Sequence, residues 1–335
     1  MIEDIFVPKE NSTIALVEQL HTVTYITSDK VTLELALVHG YGLKSSGWKT
    51  PSKSDREACN DYFGLKGDAW EFCSFYQTGG GANIQVRAFY TPEESTLVRE
   101  TYDGLIVGGA TISFPKADLY AHEKTMTALG FKSTIGVKEM EFTDPSGVSY
   151  ISAEIIYYAP DNAYLLAVKR PDIFIPVGPT DPDTGIGGPA YSARCIANSD
   201  GVIEFLKNVL GYEIRRDVIF PIGERSAMLL PEGSRERFIQ AFAPGSSTGY
   251  LVLMDHMEDN KPSSAPTLGP PSRGITMWSF ETKDIDEVSR RAKSYNVEHV
   301  EVSAEFQSPF LNSNRTLVLK DPDGFHIEIF ERLNR

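Results

Sequence analysis

Near the end of the chain, apolar and polar positions alternate with period two. Residues 325–330 read FHIEIF, which puts His326 and Glu328 on one face and Phe325, Ile327 and Ile329 on the other. That is the pattern of a strand. It follows Asp321-Pro322-Asp323-Gly324, a tight turn whose glycine supplies a positive φ. The same pattern recurs upstream. Alternating runs at Leu20–Thr27, Gly109–Phe114, Tyr191–Asn198 and Ile275–Thr282 read as strands. Each precedes a segment of helical period. These segments start at Asp29, Asp118, Asp200 and Asp284 and stop at Gly40, Gly130, Gly211 and Asn296. An Asp N-cap, an apolar stripe and a Gly or Asn stop predict a helix of about three turns. Starts at 29, 118, 200 and 284 are 89, 82 and 84 residues apart, the regular spacing of one repeated unit. Strand-like runs follow each helix. After the first, WEFCSFYQT and ANIQVRAFY flank Gly79-Gly80-Gly81, which reads as a hairpin turn. The chain therefore predicts an α+β fold of four βαβββ modules.

The Pro- and Gly-rich stretch at 171–189 reads as a linker. It separates an N-terminal domain, 1–170, from a C-terminal domain, 190–335. The expected modules span about 17–92 and 104–170 in the first, and about 190–257 and 274–332 in the second. A second loop, Asp259–Gly274, reads as disordered or as a lid.

With 335 residues, 41% of them hydrophobic, the chain has room for about two domains. A net charge of -14 argues against nucleic acid or an anionic membrane as partner. No apolar run of about 18 residues predicts a membrane span, and the acidic N-terminus does not read as a secretory signal. The three cysteines, Cys59, Cys73 and Cys195, form no C-x-x-C pair. They read as reduced structural thiols of a cytoplasmic protein.

A βαβββ unit closing in Asp-Pro-Asp-Gly-x-x-Ile-Glu, with an Asp-Ile-Asp helix start, resembles the vicinal oxygen chelate superfamily. That superfamily includes glyoxalase I, extradiol dioxygenases and bleomycin-resistance proteins. The resemblance runs from about Val17 and is strongest from Gly274 to Arg332. It implies modules paired into half-barrels around cavities, the glyoxalase/dioxygenase-like fold, with metal ligands on the first and last strands of each module. Carried onto this sequence, the first-strand position is His21, near Thr111, Tyr191 and Met277 in the four modules. The last-strand position is Gln85, near Leu165, near Leu253 and Glu328.

Ligand-type residues thus fall in the outer modules. If modules pair one with two and three with four, His21 and Glu328 lie in different cavities. If they pair one with four and two with three, His21, Gln85 and Glu328 share one polar cavity and the other cavity is a plain apolar pocket. The first-strand positions supply only one His, short of the two-His, one-carboxylate triad of ring-cleaving iron enzymes. The resemblance implies at most one divalent metal (Zn, Fe, Mn or Ni) on His21, Gln85 and Glu328, and a metal-free site stands beside that reading. His21, Glu328 and Tyr191 are the candidate catalytic residues, and Gln85, Arg87 and Met277 the candidate substrate contacts. His39, His122 and His299 read as surface residues, and His256 shows no partner set.

The expected function is a lyase or isomerase. It would act by acid/base chemistry on a small apolar, carbonyl, phenolic or aromatic molecule. An extradiol-type dioxygenase and a non-catalytic small-molecule binding or resistance protein are the alternatives. The expected assembly is a monomer or homodimer.

Overall fold

The strand–helix–strand–strand–strand order appears four times in the computed structural model, which describes residues 2–3, 15–67, 69–77, 84–92, 95–143, 147–171, 177–223, 226–257, 267–302, 311 and 313–332. A short β1 (Ile2–Glu3) precedes the first module. That module holds β2 (Val17–Thr27), α1 (Lys30–Glu34, continued as a π turn over Leu35–Gly40), β3 (Lys44–Ser45), α2 (Lys53–Phe63), β4 (Glu71–Tyr76) and β5 (Gln85–Tyr90). The second holds β6 (Gly108–Pro115), α3 (Leu119–Ala128), β7 (Lys138–Thr143), β8 (Ser149–Tyr158) and β9 (Tyr164–Lys169). The third holds β10 (Tyr191–Ile196), α4 (Ser199–Phe205, continued as a π turn over Leu206–Leu210), β11 (Glu213–Pro221), β12 (Arg235–Phe242) and β13 (Tyr250–His256). The fourth holds β14 (Gly274–Thr282), α5 (Ile285–Ser294), β15 (His299–Val302), β16 (Ser313–Lys320) and β17 (His326–Arg332).

The expected caps explain three of the four module helices. Asp29, Asp118 and Asp284 accept hydrogen bonds from the amides of Thr32, Ala121 and Glu287 at 3.0, 2.9 and 2.9 Å. The third helix starts two residues earlier than expected. Asn198, not Asp200, caps it, through the Gly201 amide at 3.0 Å. Asp200 instead meets the Arg237 guanidinium at 2.7 Å. An amide and a carboxylate serve equally as N-cap acceptors, so spacing alone could not choose between them.

Module pairing crosses the two halves of the sequence. β2 runs antiparallel to β14, with Thr22 opposite Ser279 and Thr24 opposite Met277. β6 runs antiparallel to β10, with Thr111 opposite Ala193. The first module therefore joins the fourth, and the second joins the third. The four module helices α1, α3, α4 and α5 pack on the outer face, where Leu33, Met126, Phe205 and Val288 enter one continuous core. The DPDG turn locks these pieces together. Asp321 makes a buried ion pair with Arg194 of β10 and also accepts from the Asp323 and Phe325 amides, both at 3.0 Å.

Some sequence expectations fail locally. His122 is buried rather than exposed, its ring 4.7 Å from Tyr41 and 5.6 Å from Tyr157. Burial lowers its pKa to about 3, so it packs as a neutral aromatic. His39 lies on the surface as expected. Gly79-Gly80-Gly81 and most of the Asp259–Gly274 loop lie outside the described residues, as does part of the 171–189 linker.

Candidate functional site

The first and fourth modules bring the expected polar residues onto one inner sheet face. Gln85, Thr22, Ser279 and Glu328 occupy one cross-strand row. Arg87, Thr24, Met277 and His326 occupy the next. Residues two apart along a strand share a face, so Arg87 reaches Glu328 diagonally. Its Nη2 lies 2.8 Å from Glu328 Oε2 and 2.7 Å from Thr24 Oγ1. Ser279 donates to the same Oε2 at 2.5 Å, and Tyr62 donates to Oε1 at 2.7 Å. Glu328 has no exposed surface. A carboxylate held this way is a structural anchor.

Tyr62 belongs to α2, an element the module pattern did not predict. Its local signals are present in the sequence: Ser52 caps it through the Asp55 amide at 3.2 Å, and Gly64 ends it at φ +63°. The helix drops Cys59 and Phe63 onto the inner sheet face. There they pack with Leu65, Trp70, Phe89, Ile26 and Met277. Met277 is core, not a substrate contact. The Arg87 guanidinium is covered too, 5.0 Å from the Phe63 ring centre. The half-barrel expected to hold the polar site is filled by its own chain.

His21 and Gln85 lie at the end of this half-barrel, on an open groove of about 480 Å³ shared with Tyr76, Glu281 and Arg332. A register shift in β2 between Leu20 and Thr22 leaves His21 at a bulge. Its Nε2 accepts from Arg332 Nη2 at 2.8 Å, and Nδ1 lies 2.8 Å from Thr22 Oγ1. Arginine has no acceptor to offer, so the proton sits on Nδ1. Burial and the neighbouring Arg332 lower the pKa of His21 to about 4. The imidazole lone pair is thus already engaged.

This donor set does not fit a divalent cation. Both Glu328 oxygens are occupied, a guanidinium stands beside the carboxylate, and His21 faces Arg332. Among the described residues, no group of three or more His, Cys, Asp and Glu side chains has the geometry to hold a metal ion.

The second and third modules enclose a cavity of about 260 Å³, just under the usual range of small-molecule sites, roughly 300–1,000 Å³. Ile156, Leu166, Phe238, Val252 and Met254 give it apolar walls. It is not the plain apolar pocket that the ligand positions suggested. Glu154 and Glu236 also line it, with Lys138, Arg170, Arg216 and Tyr191. Glu154 comes from β8 and Glu236 from β12, the third strands of their modules. Alternation places them inward: Ser152, Glu154 and Ile156 share a face, as do Glu236 and Phe238. They escaped notice because the resemblance directs attention to first and last strands. The available signal was a lone Glu on the apolar face of an alternating run.

Burial dominates the electrostatics here. It raises the Glu236 pKa to about 8, with nearby Glu154 adding to the effect. Burial also raises the Glu154 carboxyl, against the opposing pull of Lys138 and Arg170. Arg216 lies 5.1 Å from the Phe238 ring centre and 5.4 Å from that of Phe142. Burial lowers its pKa to about 10. Tyr191 stacks on Tyr250 at 4.6 Å, and Tyr250 on Phe242 at 4.5 Å. The Tyr250 hydroxyl is buried without a hydrogen-bond partner among the described residues. With a pKa raised to about 8, the Glu236 carboxyl holds its proton at neutral pH and can donate to a substrate oxygen.

Tyr62→Phe tests the closure of the other half-barrel. Losing one hydrogen bond to a buried carboxylate should cost about 1.5–3 kcal/mol, measured by urea unfolding, without widening the cavity of the second and third modules.

No family model matches this sequence, and no curated protein matches it. Solved structures do match in fold. A single-residue variant of glyoxalase I from Zea mays superposes with a TM-score of 0.59 at 13% identity, covering 93% of this chain and 92% of that one. The unmutated maize glyoxalase I gives 0.59 at 12% identity over 93% and 92%. A candidate dioxygenase from Bacillus subtilis subsp. subtilis strain 168 gives 0.57 at 14% identity, over 96% and 87%. The chain shares the fold of these glyoxalase I and candidate dioxygenase structures. No helix among the described residues is long and apolar enough to cross a membrane.

Proposed function

We propose that this protein is a vicinal-oxygen-chelate-type lyase or isomerase whose working site is the cavity between the second and third modules. The observation that carries the reading is a pair of carboxyls, buried Glu236 and half-buried Glu154, facing one chamber whose walls combine apolar side chains with Lys138, Arg170 and Arg216. A group with a pKa near the working pH is matched to general acid/base work, and Glu236 at about 8 is so placed. An apolar carbonyl compound would sit among the Ile156, Leu166 and Val252 side chains. Ionised Glu236 would take a proton from the carbon next to the carbonyl. The Tyr191 hydroxyl, or the Glu154 carboxyl in the protonated form that burial favours, would hydrogen-bond the developing enolate oxygen. No step is assigned to a metal, because the His21 and Glu328 side chains are spent on other partners. With Gln85, those residues organise the first and fourth modules in this reading, and Tyr191 alone of the expected catalytic set lines the working cavity.

Exchange of the α-hydrogens of small apolar ketones in deuterium oxide, followed by proton NMR, tests the proposal. Wild-type protein should accelerate exchange, and Glu236→Gln should reduce the acceleration by at least about 10²-fold. Saturable binding with no exchange in the wild type would favour a sequestering protein. Equal exchange in both proteins would remove Glu236 from the mechanism.

A further inference from the structure

Behind the Glu236 carboxyl, the sheet lines up two more proton-bearing groups. β12 and β13 pair so that Glu236 stands directly opposite His256. β13 in turn runs parallel to β10, where Cys195 lies opposite Met254. His256 Nδ1 is 3.4 Å from Glu236 Oε2, and His256 Nε2 is 3.6 Å from Cys195 Sγ. The thiol ends the line, 3.2 Å from the carbonyl oxygen of Gly104. The three side chains are nearly inaccessible, at 5%, 1% and 1% exposure for Glu236, His256 and Cys195. Of the three, only Glu236 lines the cavity.

We propose that Glu236, His256 and Cys195 form a buried proton relay in which His256 is the positioning residue for the Glu236 proton, an inference that rests on Glu236 being the working carboxyl. The transfer is internal and balanced. The O–H bond of Glu236 breaks and an N–H bond forms at Nδ1, giving a carboxylate beside an imidazolium. The Nε2–H then points to the Cys195 sulfur, while the thiol hydrogen points to the Gly104 carbonyl. No outside reactant is consumed, and net charge in the pocket wall is unchanged. This answers a physical problem posed by the proposed chemistry. A carboxylate this buried is costly unless a counter-charge forms beside it, and the imidazole supplies one within ion-pair range. Burial pushes the Cys195 thiol up to about 11, so it serves as an S–H donor and not as a nucleophile. Among the described residues, the charged groups around the line include Glu154 beside Glu236, and Arg99, Arg194 and Asp103 around the thiol.

The test needs no substrate. Full-length protein carrying ¹⁵N-histidine and ¹³C-carboxyl glutamate is titrated by NMR from about pH 5 to about pH 10. His256→Asn and Glu236→Gln assign the two signals. The relay predicts that the His256 ring nitrogens and the Glu236 carboxyl move together with one midpoint. It further predicts that Glu236→Gln shifts or abolishes the imidazole transition by more than about one pH unit. In Cys195→Ala, a milder change at a buried position, the Nε2 signal should shift while the shared transition persists. An imidazole that keeps one tautomer while Glu236 ionises would overturn the relay, as would an imidazole transition unaffected by Glu236→Gln. Ketone exchange is scored separately. Coupled titration with Glu236→Gln still active would leave the relay standing and remove the functional reading. Uncoupled titration with Glu236→Gln inactive would do the opposite.

Discussion

Replacing Arg87 with methionine should lower the free energy of unfolding by about 3–5 kcal/mol, because the Glu328 carboxylate would then be buried without its cation. Glu328 is wholly buried and Arg87 only 2% exposed. Water therefore cannot replace the lost guanidinium without opening the half-barrel. Met277, Phe63 and Phe89 pack around this site in the same core cluster, so opening it would also expose apolar surface. The double variant Arg87→Met with Glu328→Leu should recover much of the loss, since a buried ion pair and an apolar pair of similar volume are often nearly equivalent. Urea unfolding of the single and double variants measures both effects. A change below about 1 kcal/mol in the single variant would show that Glu328 is not held as a buried charge. The prediction separates the two halves of the molecule: stability should fall while ketone exchange in the cavity of the second and third modules continues.

The second large effect is on the pH dependence of stability. Glu236 holds its proton to about pH 8 in the fold, against an ordinary value of 4.5. The folded chain therefore binds a proton that the unfolded chain has released across that window. Its contribution is complete below about pH 4.5 and is lost as pH rises through about 8. For a group this buried, the loss is on the order of 3 kcal/mol or more. Glutamine has similar shape and no charge to desolvate. Glu236→Gln should therefore flatten the decline between about pH 5 and pH 9 and be the more stable protein at the upper end. Unfolding free energies measured across that range decide the matter. Parallel curves for wild type and variant would mean that the Glu236 carboxyl is not desolvated in the fold. Glu154, also raised by burial, acts in the same direction, so some slope should remain in the variant.

The two cavities show how far local pattern extends. Each inner face follows from alternation, and the inward positions of Gln85, Arg87 and Glu328 could be read directly from it. Their roles could not. Whether Glu328 is a ligand or an anchor depends on Tyr62, which arrives from 266 positions away in sequence. The helix bearing Tyr62 has ordinary Ser and Gly end signals, but it interrupts the βαβββ rhythm. A search for that rhythm passes over it. His256 is a similar case. Its neighbours in sequence are Asp255 and Met257, and nothing local announces Glu236 and Cys195. Those contacts exist because β13 is hydrogen-bonded to β12 on one side and β10 on the other.

Repetition, by contrast, is a property of the chain itself. Alternating strands, capped helices and the closing Asp-Pro-Asp-Gly turn are short-range patterns, set by backbone sterics, side-chain periodicity and local hydrogen bonds. They determined the four modules and which residues face inward, and with them the glyoxalase/dioxygenase-like α+β fold. Which module meets which is a long-range choice among similar faces, and identical local patterns cannot encode it. Tertiary structure decided that the first module joins the fourth, that α2 fills their half-barrel, and that the second and third modules keep an open chamber. The physical reason is burial. An inward polar residue becomes an anchor where apolar side chains seal it against a counter-charge, and it becomes an acid or base where a cavity leaves it facing open space.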